Sequence, residues 1–161
     1  MKPFTSAAIL GAGSLGTALA RLLAPKLESV LLVSIEETCV TGINRDHRNP
    51  KYLTDIPLGE NVRATCDHRE ALTMPLIIFA VPTVGVRSEA QKLAGLGLPV
   101  TTPLLSCTKG IERNTGERMS EILAEIFPSH PVAVLTGPNH AEEIARDLVT
   151  CAVLASNNPA L

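Results

Sequence analysis

The sequence predicts an α/β chain built on a doubly wound, mainly parallel sheet with helices on both faces. Three observations carry this. Short apolar runs alternate with longer amphipathic ones along the chain. Several runs are apolar throughout rather than at every second residue, as in strands covered on both faces. The first run ends in a glycine cluster that opens a helical pattern.

Taken in order, Ala7–Leu10 reads as the first strand. Leu15, Ala18, Leu19, Leu22 and Leu23 then recur at helical spacing, and Val30–Val33 is the second strand. Residues 44–60 are polar and carry Pro50, Pro57 and Gly59, which marks an excursion loop between helix and strand rather than a domain boundary. Val62–Thr65 is a weaker strand. Asp67-x-x-Glu70 forms a capping-box pattern ahead of Ala71 and Leu72. Leu76–Val81 is the most apolar strand, and Pro103–Ser106 follows. Met119, Ile122, Leu123 and Ile126 mark a helix after Gly116. Val132–Leu135 is a further strand, Asn139-x-x-Glu142 a second capping-box pattern ahead of Ile144, and Cys151–Ala155 the last strand. There are no repeats and no low-complexity segments.

The 161 residues make one domain, 1–161, with little room for a second. A hydrophobic content of 45% against 19% charged residues suffices for a sizeable core and excludes disorder. The net charge of −2 offers no basic field for a nucleic-acid backbone or an anionic membrane surface. A local anion pocket needs only a few N–H groups and one lysine, so it stays open. The aromatic residues Phe4, Tyr52, Phe79 and Phe127 are too few for a base-stacking platform. Cys39, Cys66, Cys107 and Cys151 show neither zinc spacing nor a disulfide framework, which points to reduced thiols in a cytoplasmic protein and to no metal. No apolar run is long enough to span a membrane.

Gly11-Ala12-Gly13-Ser14-Leu15-Gly16 fits G-x-G-x-x-G between a strand and a helix, the context that gives this motif its weight. Gly11 permits the tight turn, Gly13 lets the backbone approach a pyrophosphate, and Gly16 allows close helix–strand packing, with free N–H groups facing the phosphates. The fold expectation is therefore Rossmann-like. Glu36 follows the second strand, 20 residues after Gly16, where the fingerprint expects an acid on the adenosine ribose, and Glu37 is adjacent. A carboxylate there repels a 2′-phosphate and favours NAD over NADP. Ala80-Val81-Pro82-Thr83 ends a strand at the expected crevice. Thr108-Lys109-Gly110 places an ammonium at another strand end, able to hold a phosphate or polarise a carbonyl, or else to stand as a surface lysine. Gly137-Pro138-Asn139-His140-Ala141 leads into a helix whose N-terminus suits a carboxylate or phosphate, with Asn139 as its cap. His140, Glu142 and Glu143 do not match a zinc motif. His47, His68 and His130 read as solvated. Ser14, Ser34 and Ser106 lack a nucleophile elbow.

In this order and spacing, the glycine segment through Ala20, Asn49-Pro50-Lys51-Tyr52-Leu53, Ala80-Val81-Pro82, Thr108-Lys109-Gly110-Ile111-Glu112 with Thr115-Gly116, and Gly137-Pro138-Asn139 with Ala141-Glu142 closely resemble a known family. They look like the N-terminal domain of bacterial NAD(P)-dependent glycerol-3-phosphate dehydrogenase. The resemblance covers nearly the whole chain. It implies interconversion of dihydroxyacetone phosphate and sn-glycerol 3-phosphate. By matching motifs, Ser14 and Leu15 contact the cofactor, Lys109 contacts cofactor and substrate, Gly137 and Asn139 border the substrate, and Ala141 touches the cofactor. Leu15 stands where an aromatic residue is frequent, and His140 where phenylalanine is common. Ile35 followed by Glu36 stands where many members carry an arginine that pairs with a 2′-phosphate, so NAD is favoured.

Family members continue into an α-helical substrate domain that bears the general acid–base lysine and the phosphate clamp. No catalytic residue of that kind is expected within residues 1–161. The ending Asn157–Leu161 reads as a cut between domains. The chain by itself is expected to fold and bind a dinucleotide but to be nearly inactive, since hydride transfer needs the reacting carbons held together and a proton donor. Exposed apolar surface where the second domain would dock gives the chain a route to a homodimer. The competing readings are a dinucleotide-binding regulatory module without chemistry and the N-terminal domain of another two-domain dehydrogenase.

Overall fold

The structure is a computed structural model that describes residues 3–158. The end of the predicted terminal segment, Pro159–Leu161, lies outside the described residues. Among these, seven strands form one sheet in the order β3-β2-β1-β4-β5-β6-β7. β1 (Ser6–Leu10), β2 (Ser29–Val33), β3 (Val62–Thr65), β4 (Ile77–Phe79), β5 (Leu104–Ser106) and β6 (Val132–Thr136) run parallel, and β7 (Val153–Ser156) joins β6 antiparallel. The connections carry α1 (Ser14–Leu23), α2 (Glu37–Asp46), α3 (Thr83–Gly95), α4 (Met119–Ile126) and α5 (Ala141–Ala145). The doubly wound, mainly parallel expectation holds.

The all-apolar strands follow from burial on both faces. Alternate residues point to opposite sides of a strand. Ala8, Leu10, Leu31, Val33, Ile77 and Phe79 meet Val86, Ala90 and Leu93 of α3 and Met119, Ile122 and Leu123 of α4. Ala7, Ile9, Val30, Leu32 and Ile78 fill the other side with Leu19 and Ala20 of α1 and Cys39 and Ile43 of α2. The helical spacing seen in the sequence therefore marks the sheet-facing stripe of α4 and, through Leu15, Leu19 and Leu23, that of α1, whereas Leu22 is exposed and Ala18 packs with Ile56 and Ala145.

Three local expectations change. The strand expected over Leu76–Val81 keeps only Ile77–Phe79, because the chain turns away at Ala80 beside the glycine loop. The last strand, expected over Cys151–Ala155, runs over Val153–Ser156 and is exposed at the antiparallel edge of the sheet. After Asp67 the chain forms a 3₁₀ turn, His68–Thr73, and the capping box stays half made. Asp67 accepts the Arg69 N–H at 2.9 Å, but Glu70 turns to the Thr65 hydroxyl at 2.6 Å and to Arg63 at 2.9 Å.

Strand order reverses between β1 and β4, and in sheets of this kind the crevice opens outside the strand C-termini at that point. Two glycines make the reversal geometrically feasible. Gly11 has φ +105°, and a Cβ there would stand 2.8 Å from the Ala80 carbonyl oxygen. A Cβ on Gly16 would stand 1.8 Å from the Gly11 carbonyl oxygen. At Gly13 a Cβ would meet nothing within 4 Å. Gly16→Ala should therefore cost about 3 kcal/mol or more in urea unfolding, at the upper end of overpacking penalties. Gly13→Ala should cost less, roughly 0.5–1 kcal/mol, the preference of an N-cap for Gly over Ala. Equal midpoints for the two variants would refute the packing role of Gly16.

Candidate functional site

A cleft of about 830 Å³ opens where the C-terminal ends of the parallel strands meet the following loops. Gly11, Gly13, Ser14 and Leu15 line it after β1, Glu36 after β2, Ala80–Thr83 after β4, Lys109 after β5, and Asn139 and Ala141 after β6. Eight of the ten predicted site residues thus converge on one cavity. Gly16 and Gly137 are not among its lining residues. Gly16 works beneath the loop as a packing glycine, and Gly137 (φ +131°) turns the chain so that its carbonyl faces Lys109.

The floor of the cleft is the N-terminus of α1. The first bond inside that helix runs from the Thr17 N–H to the Gly13 carbonyl at 2.9 Å, so the N–H groups of Ser14, Leu15 and Gly16 precede the helical ladder. Such groups attract anions, and the vacant Cβ direction of Gly13 leaves room for one to approach.

One wall rests on Asn49, which is fully buried. Its amide nitrogen donates to the Ala12 carbonyl at 2.8 Å and the Thr17 hydroxyl at 2.9 Å. Its amide oxygen accepts the N–H groups of Lys51 at 3.0 Å and Tyr52 at 3.1 Å. The polar excursion thereby folds back on the glycine loop. It carries Lys51 and Tyr52 to Glu36, whose carboxylate accepts Lys51 Nζ at 2.5 Å and Tyr52 Oη at 2.9 Å. Those bonds, first from Lys51 and then from Tyr52, hold the Glu36 carboxyl below the usual carboxylate range.

Lys109 also lines the cleft. Its ammonium donates to the Gly137 carbonyl at 2.9 Å, the Asn139 carbonyl at 3.1 Å and the Asn139 side-chain oxygen at 2.7 Å. Asn139 also donates to the Cys151 carbonyl at 3.2 Å. Asn139 is therefore not the helix cap its sequence pattern predicts. The N-cap of α5 is His140, without a side-chain bond, and Asn139 instead aims Lys109. α5 has only five residues, too short for the anion-binding helix start expected there.

The Lys109 loop is fastened from below. The Thr108 hydroxyl donates to the Val81 carbonyl at 2.6 Å, and the Thr83 hydroxyl to the Lys109 carbonyl at 3.0 Å. Arg87 of α3 then grips Glu112, Glu117 and Glu125 at 2.8–2.9 Å. His68, expected to be solvated, lines the cleft and pairs with the buried Glu89 at 2.5 Å. Burial pushes the Glu89 carboxyl up, but the bonds from Lys92 and His68 outweigh it and the net shift is down. Among the described residues no group of three or more His, Cys, Asp or Glu is arranged to hold a metal ion, and no helix is long and apolar enough to cross a membrane.

The sequence profile of the family described as NAD-dependent glycerol-3-phosphate dehydrogenase N-terminus matches residues 6–161. The chain belongs to this family. It is 40% identical over 152 residues to the glycerol-3-phosphate dehydrogenase [NAD(P)+] of Brucella canis, covering 94% of this chain and 46% of that protein. It is 42% identical over 153 residues to the protein of the same name from Myxococcus xanthus, covering 92% and 45%. The crystal structure of glycerol-3-phosphate dehydrogenase from Coxiella burnetii superposes with a TM-score of 0.89 at 34% identity, covering 98% of this chain and 48% of that one. The chain spans about half the length of the curated relatives it matches.

Sequence reasoning missed Asn49, Arg87 and Thr108 as organisers of the cleft. The Asn49-Pro50 dipeptide signals a turn. Nothing local signals that its side chain reaches the glycine loop, or that Arg87 meets a glutamate 25 residues on. Asn49→Ala should lower stability by about 2–4 kcal/mol, because it strands buried polar partners. Unfolding at an unchanged midpoint would refute the hub. Cys107 is 2% exposed, and burial pushes its thiol up to about 12, opposed by the nearby Lys109 charge. A thiol reagent at mildly alkaline pH should therefore modify the exposed Cys66 and Cys151 quickly, and Cys39 and Cys107 only on unfolding. Rapid reaction at a third site would contradict this burial.

Proposed function

We propose that residues 1–161 form the dinucleotide-binding domain of an enzyme that interconverts dihydroxyacetone phosphate and sn-glycerol 3-phosphate with NAD(P)H. The observation that carries this reading is the convergence of the α1 N-terminus, Glu36 and the Lys109–Asn139 pair on one cleft. A cofactor-binding module without chemistry would need the first two but not the third.

The residues fit a dinucleotide. The free N–H groups of Ser14, Leu15 and Gly16 receive the pyrophosphate, and the open space at Gly13 admits it. Glu36 accepts the adenosine ribose hydroxyls. Its charge favours NADH, and its bond to Lys51 tempers that preference. Leu15 and Ala141, both lining the cleft, border the cofactor. A bound nicotinamide supplies or accepts the hydride. Lys109 steadies the substrate oxygens electrostatically, exchanging one of its three protein acceptors for the substrate, while Gly137 and Asn139 border it. The proton for the alcohol oxygen comes from outside the residues named here, so the chain alone turns over slowly or not at all.

Free thiols suit a reducing compartment, and on that basis we assign the chain to the cytoplasm. The exposed Leu148, Val149, Val153 and Leu154 provide a surface for association, a homodimer included.

A protein carrying this chain together with the remainder of its family's length should reduce dihydroxyacetone phosphate, followed as loss of the reduced nicotinamide absorbance. Lys109→Ala should lower kcat/KM by about 100-fold, the scale for losing one preorganised charge donor. Turnover of a different keto acid alone would overturn the substrate assignment. Dinucleotide binding with no turnover on any carbonyl would favour the regulatory module.

A further inference from the structure

Beside the cleft, on its lining residue Glu36, stands a cation to which the reading above gives no ligand of its own. Lys51 reaches Glu36 from the excursion loop, and the two donors on that carboxylate are unequal. Tyr52 is half-buried in the cleft wall. Lys51 has a side chain 56% exposed, on a flexible stem. The backbone beneath both is anchored, because the Lys51 and Tyr52 N–H groups are held by the buried Asn49. The attachment point is therefore rigid while the ammonium is free to change partner. Its present bond is an ion pair between partly solvated groups, a weak kind of contact. Tyr52 would still satisfy one Glu36 oxygen if Lys51 left.

The two forms of the dinucleotide differ at the group expected beside Glu36. NADH carries a ribose 2′-hydroxyl, which donates to a carboxylate that retains free lone pairs. NADPH carries a 2′-phosphate with a charge of about −1.5 to −2 at neutral pH, by analogy with other phosphate monoesters. Glu36 alone repels that phosphate. A lysine already within reach of the carboxylate can neutralise it, and charge-assisted bonds to phosphate are the stronger kind.

We infer that Lys51 determines dinucleotide selectivity, standing on Glu36 when NADH is bound and moving to the 2′-phosphate when NADPH is bound, so that the site accepts both. This rests on the dinucleotide reading above. It qualifies the expectation that the Glu36 carboxylate favours NAD over NADP. Lys92, which also lines the cleft, is bound to Glu89 at 2.7 Å and is assigned no part in the choice.

The test is calorimetric titration of this chain and its variants with NADH and with NADPH, with the urea midpoint of each variant as a folding check. The wild-type chain should bind both. Lys51→Met should weaken NADPH by about tenfold or more while changing NADH less than about threefold, and Lys51→Arg should keep NADPH binding. Glu36→Gln should shift the preference toward NADPH. Wild-type NADPH affinity should fall more steeply with added salt than that of Lys51→Met. Equal loss of both ligands in Lys51→Met, no loss of either, or NADPH loss in Lys92→Met instead would each overturn the role of Lys51 while leaving the dinucleotide reading intact. Wild-type binding of NADH alone would overturn the dual site. Binding of neither dinucleotide would overturn the dinucleotide reading, and this proposal with it.

Discussion

The approach of Gly16 to the Gly11 carbonyl is the constraint on which this chain is organised. α1 lies against the end of β1 so closely that even a methyl group at Gly16 would stand inside the oxygen's contact radius. That closeness has two consequences. It seats Leu19 and Ala20 on the sheet, where burial supplies stabilisation. It also brings the unsatisfied end of the helix to the point where the strand order reverses, so packing and anion attraction share one origin. Gly13 serves the opposite need, since its missing side chain faces open space.

Around this turn the cleft is assembled by side chains that bond backbone far away in sequence. Asn49 ties the excursion to Ala12 and Thr17. Thr108 and Thr83 tie the loops after β5 and β4 to one another. Asn139 binds Lys109 on one side and the start of the β7 segment on the other. Buried polar groups of this kind contribute modestly when satisfied and cost much when stranded, so they specify one arrangement of loops more than they stabilise it. The electrostatics follow the same division. Glu36 and Glu89 are each held ionised by a lysine and a hydroxyl or imidazole partner, which leaves the anion-receptive character of the cleft to the α1 N–H groups and Lys109.

Much of this was legible from residue order. The glycine spacing, the all-apolar strands and the stripes of α1 and α4 are local patterns, and each corresponds to a local physical requirement. Glu36 and Lys109 were legible as residues just beyond strand ends. The misreadings share a cause. Asp67 and Asn139 both fit a capping pattern, yet Glu70 and Asn139 found better partners in Thr65 and Lys109, contacts that a four-residue window does not contain. His68 looked solvated because its neighbours are polar, whereas Glu89 on α3 encloses it.

Residue order by itself determined the fold class, the position of the phosphate-facing turn and the family to which the chain belongs, because backbone conformation and hydrophobic periodicity are written within a few residues of where they act. Tertiary structure alone decided which polar groups meet. Asn49 reaches Ala12 across 37 positions, Lys109 reaches Asn139 across 30, and Lys51 reaches Glu36 across 15. A hydrogen bond depends on separations of a few tenths of an ångström, and only the packed sheet and its helices fix separations between distant segments that finely.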